Sequence, residues 1–212
     1  MLERMLVCAL IAVAALPRPG HAADADRAPQ SFAARQANAM NVTIPGTDYR
    51  VSFAKVRATG RPVPEPLLRA IVTWLANNFG LPADYAYPTV AFVPATTIAT
   101  FHYTGLLSDS PRDAAAVPAG RREVVAAYDA NANAIYLPLG WTGGTPAELS
   151  ILVHEMIHHL QHLAGIRYPC PQASEELAYA AQDRWLGLFG RDLATDFDLD
   201  PFTVTVSVQC IY

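Results

Sequence analysis

The sequence has few charged residues and no excess of basic ones. Only 16% of its 212 residues are Asp, Glu, Lys or Arg, and the formal net charge at pH 7 is −4. Proteins that bind nucleic acid neutralise phosphates with clustered Lys and Arg side chains. No such basic stripe is present here, so the composition excludes an electrostatic nucleic-acid binder. With 52% hydrophobic residues, the chain is typical of one globular domain.

The sequence also lacks an apolar run long enough to cross a membrane. Its N-terminal apolar run, residues 6–16, has eleven residues, whereas a membrane-spanning helix needs about 20. A positive charge precedes this run, prolines and a glycine end it, and Gly20 and Ala22 are small residues of the kind that signal peptidase requires. We therefore predict a signal peptide over residues 1–22, with Ala25 as a later cleavage site. A buried N-terminal helix is the alternative.

Cysteine is scarce, and the few cysteines fit an exported protein. Cys8 lies in the predicted signal peptide, which leaves Cys170 and Cys210 in the mature chain. An even pair in an oxidising compartment predicts one disulfide. Two separate thiols or zinc ligation are the alternatives, and the second is weak because no C-x-x-C pair is present. We expect a secreted or periplasmic monomer that has no stable membrane insertion after cleavage.

Hydrophobic periodicity predicts a single α+β domain after a polar lead-in. Residues 23–47 show little periodicity and are predicted to be a flexible lead-in, and residues 48–212 form the domain. Apolar spacings of three and four residues predict helices, whereas strict alternation predicts strands. Helices are expected over 67–79, 146–163 and 172–188, strands over 49–56, 89–93, 123–128, 134–137 and 202–211, and a loop over 104–122.

The helix predicted over residues 146–163 has two different faces. Thr145 is a suitable N-cap, and a glutamate three residues later completes a capping box. At 100° per residue, His154, Glu155 and His158 fall roughly opposite one apolar stripe. We expect the helix to pack this stripe into the core and to present the other face to a site. The stripe consists of Leu149, Leu152, Val153, Met156, Leu160 and Leu163.

The spacing H-E-x-x-H on this second face is typical of a catalytic zinc site. His154 and His158 are four residues apart, so their side chains lie one above the other and can bind a single ion. Glu155 lies at the flank of the pair, where it can hold a water molecule bound to the metal. The motif therefore predicts two metal ligands and a general base.

A catalytic site of this kind needs a third protein ligand and one open position for water. Glu175 and Glu176 lie 17 and 18 residues after His158, near the start of the next predicted helix. Glu175 is preferred because the same helix face carries Tyr179 and Gln182. Glu176 remains the alternative, and the glutamate that is not a ligand can complement the positive end of the helix dipole.

The other histidines are weaker candidates for metal binding. His159 lies about 100° around the helix from His158, and His162 lies one turn beyond it, so both are expected at most to support the site. His102 is isolated in the sequence, and we assign it no role.

The motif HEMIH with a downstream helical glutamate resembles the zincin metallopeptidases of the gluzincin type, in which two histidines and a glutamate bind zinc. The longer pattern HEMIHHLQ, followed by C…E-x-x-A-Y-x-x-Q-x-x-W, is similar to a group of small, largely uncharacterised secreted bacterial proteins regarded as metallopeptidases. This resemblance is sharp over residues 145–186 and vague elsewhere.

The resemblance implies a zincin-like fold and a specific site. The fold would be a small antiparallel or mixed sheet packed on the H-E-x-x-H helix and on a second helix that carries a ligand. One Zn²⁺ would be bound by His154, His158 and Glu175, with Glu155 as the catalytic base. The strand over residues 134–137 would form the sheet edge along which an extended peptide lies.

The sequence departs from the larger zincins in two ways. Ala164 stands where metzincins have a third histidine, and no aspartate follows either glutamate at the fourth position, where larger gluzincins orient a ligand histidine. No tyrosine or histidine clearly matches the group that stabilises the transition state. Only three tyrosines are candidates for that role: Tyr128, Tyr136 and Tyr168.

These observations predict a zinc-dependent hydrolase, a metallopeptidase that acts on a peptide or protein substrate. The main alternative is an exported zinc-binding protein that has no peptidase activity or a non-peptide substrate. A ferritin-like di-metal protein would need a second E-x-x-H motif, and none is present. A structural protein whose histidines only fill a polar helix face is the remaining alternative.

The predicted leader can be tested on exported protein. Expression in a secreting bacterium should yield a mature chain that begins at residue 23, because the small residues at 20 and 22 suit signal peptidase. Intact-mass measurement and N-terminal sequencing give the start of the chain. Exported protein that retains residues 1–22 would contradict the prediction.

Overall fold

The structure is a computed structural model, and it describes residues 7–12, 41–53, 62–104 and 123–210. The predicted cleavage site, most of the predicted lead-in and most of the predicted loop over 104–122 lie outside these residues. Within them the chain forms strands β1 (Val7–Ala12), β2 (Asn41–Thr43), β3 (Arg50–Ser52), β4 (Thr89–Val93), β5 (Glu123–Asp129) and β6 (Ala134–Pro138). The helices are α1 (Glu65–Phe79), α2 (Ala95–Thr104), α3 (Pro146–Leu163), α4 (Glu175–Gly187), α5 (Leu193–Phe197) and α6 (Pro201–Ser207), with a 3₁₀ turn at Pro171–Ser174.

A four-stranded mixed sheet forms the centre of the fold. Its strand order is β1-β5-β6-β4, and β2 and β3 form a separate antiparallel pair. β5 is antiparallel to both β1 and β6, whereas β4 is parallel to β6. The α+β class with a small mixed sheet is therefore confirmed. The expectation that residues 134–137 form a sheet edge is wrong, because β6 hydrogen-bonds to a strand on each side.

Alternation along β5 and β6 divides the sheet into two covered faces. Side chains such as Tyr128 and Leu137 face the main core, which also contains the apolar residues of α1, α3 and α4. Tyr136 faces the other way and packs against Phe101 of α2, with the ring centroids 5.4 Å apart. Because successive side chains on a strand point to opposite faces, each face of the sheet has its own helical layer.

The first turn of α3 is fixed as the capping box predicts. Thr145 Oγ1 accepts a hydrogen bond from the backbone N–H of Glu148 at 3.1 Å. The Glu148 carboxylate in turn accepts from the backbone N–H groups of Thr142 and Gly144, each at 2.9 Å. The indole N–H of Trp141 donates to the Glu148 carbonyl at 2.9 Å. The first of these bonds satisfies one backbone donor of the first turn, and the others tie the segment before α3 to Glu148.

α3 is buried on all sides, and this differs from the two-faced helix that its pattern predicts. The residues opposite the apolar stripe are also buried, because α4 packs over them. α4 is itself held by the core through Trp185, whose ring meets Trp74 of α1 edge to face at a centroid distance of 5.2 Å. A helix that is buried all round must satisfy every polar side chain it carries within the protein.

Two other predictions from the pattern are wrong. The tail alternates like a strand, yet residues 201–207 are helix α6: Asp200 caps it by accepting from the N–H groups of Phe202 and Thr203. Local capping prevails there because, among the described strands, none lies beside this segment to pair with it. The end of the lead-in is likewise not irregular, since β2 pairs with β3. Helix α2 was not predicted at all.

The N-terminal segment occupies one edge of the sheet. Residues of β1 pair with β5 from Val7 to Ala12, and β1 also lies against α3 and the 3₁₀ turn. The sequence predicts that this segment is removed on export, and that stays a prediction. Removal would leave β5 as the edge strand on this side. Within the described residues, no helix is long and apolar enough to span a membrane.

The predicted disulfide is confirmed. Cys170 and Cys210 are bonded, with their Cα atoms 5.8 Å apart. The bond joins the segment before the 3₁₀ turn to the segment after α6. It closes a loop that contains the whole of α4, α5 and α6, and such a cross-link fits an oxidising compartment.

Removal of this disulfide should destabilise the fold. We expect Cys170→Ser and Cys210→Ser each to lower the free energy of unfolding by about 3–4 kcal/mol, because the unfolded chain regains the freedom of a closed loop of this size. Urea denaturation of the chain without residues 1–22 measures the loss. A double variant that loses about twice as much as either single variant would show that the two thiols act separately.

Candidate metal centre

The packing of α4 on α3 brings three of the predicted residues together. One potential ligand atom each from His154, His158 and Glu175 lies within 4.8 Å of the others. The two histidines lie one turn apart on α3, and their ring centroids are 4.9 Å apart. Glu175 is the first residue of α4. The structure therefore places these side chains where they could bind one ion.

The carboxylate of Glu175 approaches both imidazole rings. Its Oε2 lies 3.0 Å from His154 Nε2, and its Oε1 lies 3.5 Å from His158 Nε2. The two carboxylate oxygens therefore face the Nε2 atoms of two different histidines, one oxygen to each ring. Glu176, the alternative ligand, is exposed and lines a separate cavity of about 570 Å³ between α4, α5 and α6. The geometry brings in the glutamate that the sequence favours.

The centre is almost completely shielded from water. The side chains of His154 and His158 are fully buried, and that of Glu175 is 13% exposed. Access is therefore from the side of the 3₁₀ turn, where α4 begins. A charged carboxylate this deep in the protein is stable only with a positive or hydrogen-bonding partner.

Burial and the close contacts shift the pKa values of these groups. Burial lowers the pKa of His154, and this effect outweighs the opposing influence of Glu175. Burial by itself would raise the pKa of Glu175, but the charge of His158 and hydrogen bonds from both histidines hold it well below its usual range. Metal ligands of these types bind as an ionised carboxylate and neutral imidazoles, so metal binding would release any proton that an Nε2 shares with Glu175.

Further side chains surround the two histidines. His154 Nδ1 lies 3.1 Å from Gln182 Oε1, and His158 Nδ1 lies 3.0 Å from Gln161 Oε1. The ring of Tyr179 meets the His154 ring edge to face at a centroid distance of 5.0 Å. Each imidazole is thus held at Nδ1 while its Nε2 faces Glu175.

Glu155 lies on the same helix as the two histidines and is fully buried. With 100° per residue, it lies about 60° around the helix from His158. It is not one of the three grouped ligand atoms. The structure therefore separates it from the three potential ligands, although it directly follows His154 in α3.

The remaining histidines do not join the group. His159 is buried on the side of the sheet, where its Nε2–H donates to the Ala86 carbonyl at 2.9 Å and its ring packs against Tyr128. Burial lowers its pKa more than that hydrogen bond raises it. His162 is exposed, and His102 lies on α2 across the sheet. These three histidines therefore lie outside the group formed by His154, His158 and Glu175.

The three candidate tyrosines lie in different parts of the fold. Tyr136 is on the α2 side of the sheet, and its hydroxyl donates to Asp129. Tyr128 is on the α3 side, but its hydroxyl donates to Asn133 at 3.3 Å, and burial together with Asp129 raises its pKa to about 12. Neither hydroxyl is directed to the candidate centre. Tyr168 is half-buried in the connection between α3 and the 3₁₀ turn.

Sequence reasoning did not assign roles to Gln161, Gln182 or Ser150. One signal was present: Gln161 follows His158 by three residues, so it lies on the same face of α3. Gln182 lies two helical turns after Glu175, on the polar stripe already noted. Nothing in the sequence pairs Ser150 with Gln182, because their contact crosses from α3 to α4.

The donor set fits a divalent transition metal. Two imidazole nitrogens and one carboxylate oxygen form the three-ligand set of catalytic zinc sites, which leave a fourth position open. One potential ligand atom from each of the three residues lies within 4.8 Å of the other two, a spacing that a single bound ion could bridge. The residues present therefore fit a metal ion.

Comparisons with known proteins give one match. A family described as a domain of unknown function (DUF6647) matches residues 61–211, which include α3, α4 and every residue of the candidate centre. No curated protein and no solved structure matches the chain.

The two adjacent glutamates give a direct test of the centre. Glu175→Gln should lower zinc affinity by at least about 100-fold, since loss of an outer hydrogen-bond partner already costs 10–100-fold. Glu176→Gln should leave the affinity unchanged, because its side chain is exposed and faces away from the histidines. Competition with a chromogenic chelator measures both affinities. Equal losses in the two variants would contradict this assignment.

Proposed function

This chain belongs to the DUF6647 family, and we propose that it is a zinc-dependent hydrolase with a zincin-like fold, acting as a metallopeptidase. The observation that carries the proposal is the convergence of His154, His158 and Glu175, with the buried Glu155 beside them on the same helix. The proposed place of action is outside the cytoplasm, in the secreted or periplasmic space, which the disulfide and the predicted leader support.

The chemistry divides between the ion and the protein. When bound, zinc supplies a water molecule of lowered pKa and polarises the scissile carbonyl. His154, His158 and Glu175 hold the ion and leave one position open. Their combined charge of about −1 leaves the centre a net positive charge, so it keeps its ability to stabilise negative charge on oxygen.

Glu155 has the role of the proton carrier. Its carboxylate would accept a proton from the nucleophilic water and then deliver that proton to the leaving amine. Within the described residues, Glu155 is the one fully buried glutamate outside the three potential ligands.

The peptide substrate would pair with the outer edge of β5. This strand contacts α3, and residues 7–12 already lie along the edge as an antiparallel strand that also contacts the 3₁₀ turn before Glu175. Removal of the predicted leader would free the backbone N–H and C=O groups of that edge. An extended peptide could then add to the sheet by the same hydrogen bonds.

An exported zinc-binding protein without peptidase activity remains the second candidate. The full burial of both histidines favours it, since buried ligands retain a metal well but restrict the approach of a substrate. Residues 7–12, which also contact α3, belong to the leader that the sequence predicts to be removed. The two candidates differ in whether the chain without residues 1–22 turns over peptides.

Exchange of the proposed base separates binding from catalysis. In the chain without residues 1–22, Glu155→Gln should still bind zinc but lose about 10²–10⁴-fold in the rate of peptide hydrolysis, the usual contribution of a general base. The rate is measured on a mixed peptide library by mass spectrometry, and the metal content by elemental analysis. Glu176→Gln is the matched control, because it removes an exposed carboxylate on α4.

Two outcomes would overturn the proposal. Hydrolysis at an unchanged rate in Glu155→Gln would exclude Glu155 as the base. Zinc-loaded unmodified protein that cleaves no peptide in the library would favour the non-catalytic zinc-binding protein.

A further inference from the structure

We propose that Gln161 and Gln182 are positioning residues that hold a proton on Nδ1 of both histidines, so that Nε2 is the nitrogen with which each ring binds the metal. The inference rests on the proposed metal site but not on hydrolysis. It follows from two chains of hydrogen bonds, each of which ends on a backbone carbonyl that can only accept.

The first chain fixes His158. Gln161 Nε2 donates to the backbone carbonyl of Ser174 at 3.0 Å. This contact sets the orientation of the amide, because only its NH₂ group can face a carbonyl oxygen. Gln161 Oε1 must then face His158 Nδ1, at 3.0 Å. Since an amide oxygen only accepts, His158 must carry its proton on Nδ1.

The second chain fixes His154 in the same way. Ser150 Oγ donates to the Ala147 carbonyl at 2.8 Å, which uses its single hydroxyl proton. It can therefore only accept from Gln182 Nε2, which lies 3.2 Å away. Gln182 Oε1 is then left to accept from His154 Nδ1 at 3.1 Å. His154 must also carry its proton on Nδ1.

The two chains differ in what they connect. The chain through Gln182 crosses from α4 to the first turns of α3, so it aligns His154 with the helix that carries Glu175. The chain through Gln161 ends on Ser174, the residue directly before Glu175. The orientation of the His158 ring is therefore coupled to the position of the backbone that carries Glu175. Both glutamines are fully buried, so water cannot replace either bond.

Neutral amides also determine the charge of the centre. A carboxylate partner on Nδ1 would add a negative charge and make the imidazole a stronger donor. Two glutamines orient the rings without adding charge. Among the three ligands, Glu175 is therefore the one that carries a negative charge.

Exchange of each glutamine for glutamate tests the two chains separately. In Gln161→Glu the new carboxylate would face the Ser174 carbonyl, which has no proton to donate. We expect zinc affinity to fall by about 10–100-fold, the usual effect of losing an outer partner. In Gln182→Glu the loss should be much smaller, because the Ser150 hydroxyl can turn and donate to the new carboxylate. Gln209→Glu, at an exposed glutamine after α6, is the charge-matched control.

Nitrogen NMR of the unmodified protein shows directly which ring nitrogen of each histidine carries the proton. A merely structural role of the two glutamines would not fix that position. Long-range ¹H–¹⁵N spectra of ¹⁵N-histidine-labelled protein should show Nδ1 protonated in both rings, without metal and with zinc, and should show zinc bound through Nε2. This measurement needs no variant, so it still decides the question if Gln161→Glu fails to fold.

The outcomes separate this inference from the proposed function. If both rings carry the proton on Nδ1 but the protein hydrolyses no peptide, the tautomer assignment is supported and the proposed peptidase function is rejected. Hydrolysis with zinc bound through Nδ1 of either histidine would overturn the assignment and leave the peptidase. Equal losses of zinc affinity in Gln161→Glu and Gln182→Glu would also overturn the assignment. The assignment requires a carbonyl that cannot donate next to Gln161 and a hydroxyl that can turn and donate next to Gln182.

Discussion

The contact between α3 and α4 is the constraint on which the rest of the structure depends. α3 carries two histidines, Gln161 and Glu155 into the buried interior, and each buried polar group must find a partner there. α4 supplies those partners through Glu175, Gln182 and Tyr179. The same contact therefore satisfies the buried helix and assembles the candidate centre.

The other elements serve to hold this contact in place. The sheet supports α3 from one side with Tyr128 and its neighbours, and α1 supports α4 through the Trp74–Trp185 contact. The disulfide fixes the segment that leads into the 3₁₀ turn, immediately before Glu175. Rigid support of this kind matters for a metal centre, because the distances between ligands decide whether one ion can contact all of them.

The site was more predictable than the strands and the tail. The motif HEMIH, its capped helix and the preference for Glu175 follow from residue spacing alone, because helical geometry fixes which side chains share a face. The alternation in residues 202–211 was misleading, since Asp200 caps a helix there instead. The place of β6 within the sheet was also not readable, because strand order depends on contacts between residues that are distant in the sequence.

The sequence by itself determined which residues could bind a metal, where the helix that carries them begins, and which cysteines pair. Each of these depends on local spacing or on a small number of candidates. Only the tertiary structure decided that the polar face of α3 is buried, that Glu175 and not Glu176 meets the histidines, and that Gln161 and Gln182 hold the two rings. Those facts arise from packing between α3 and α4, where the partner of each polar group is set by the orientation of a different helix.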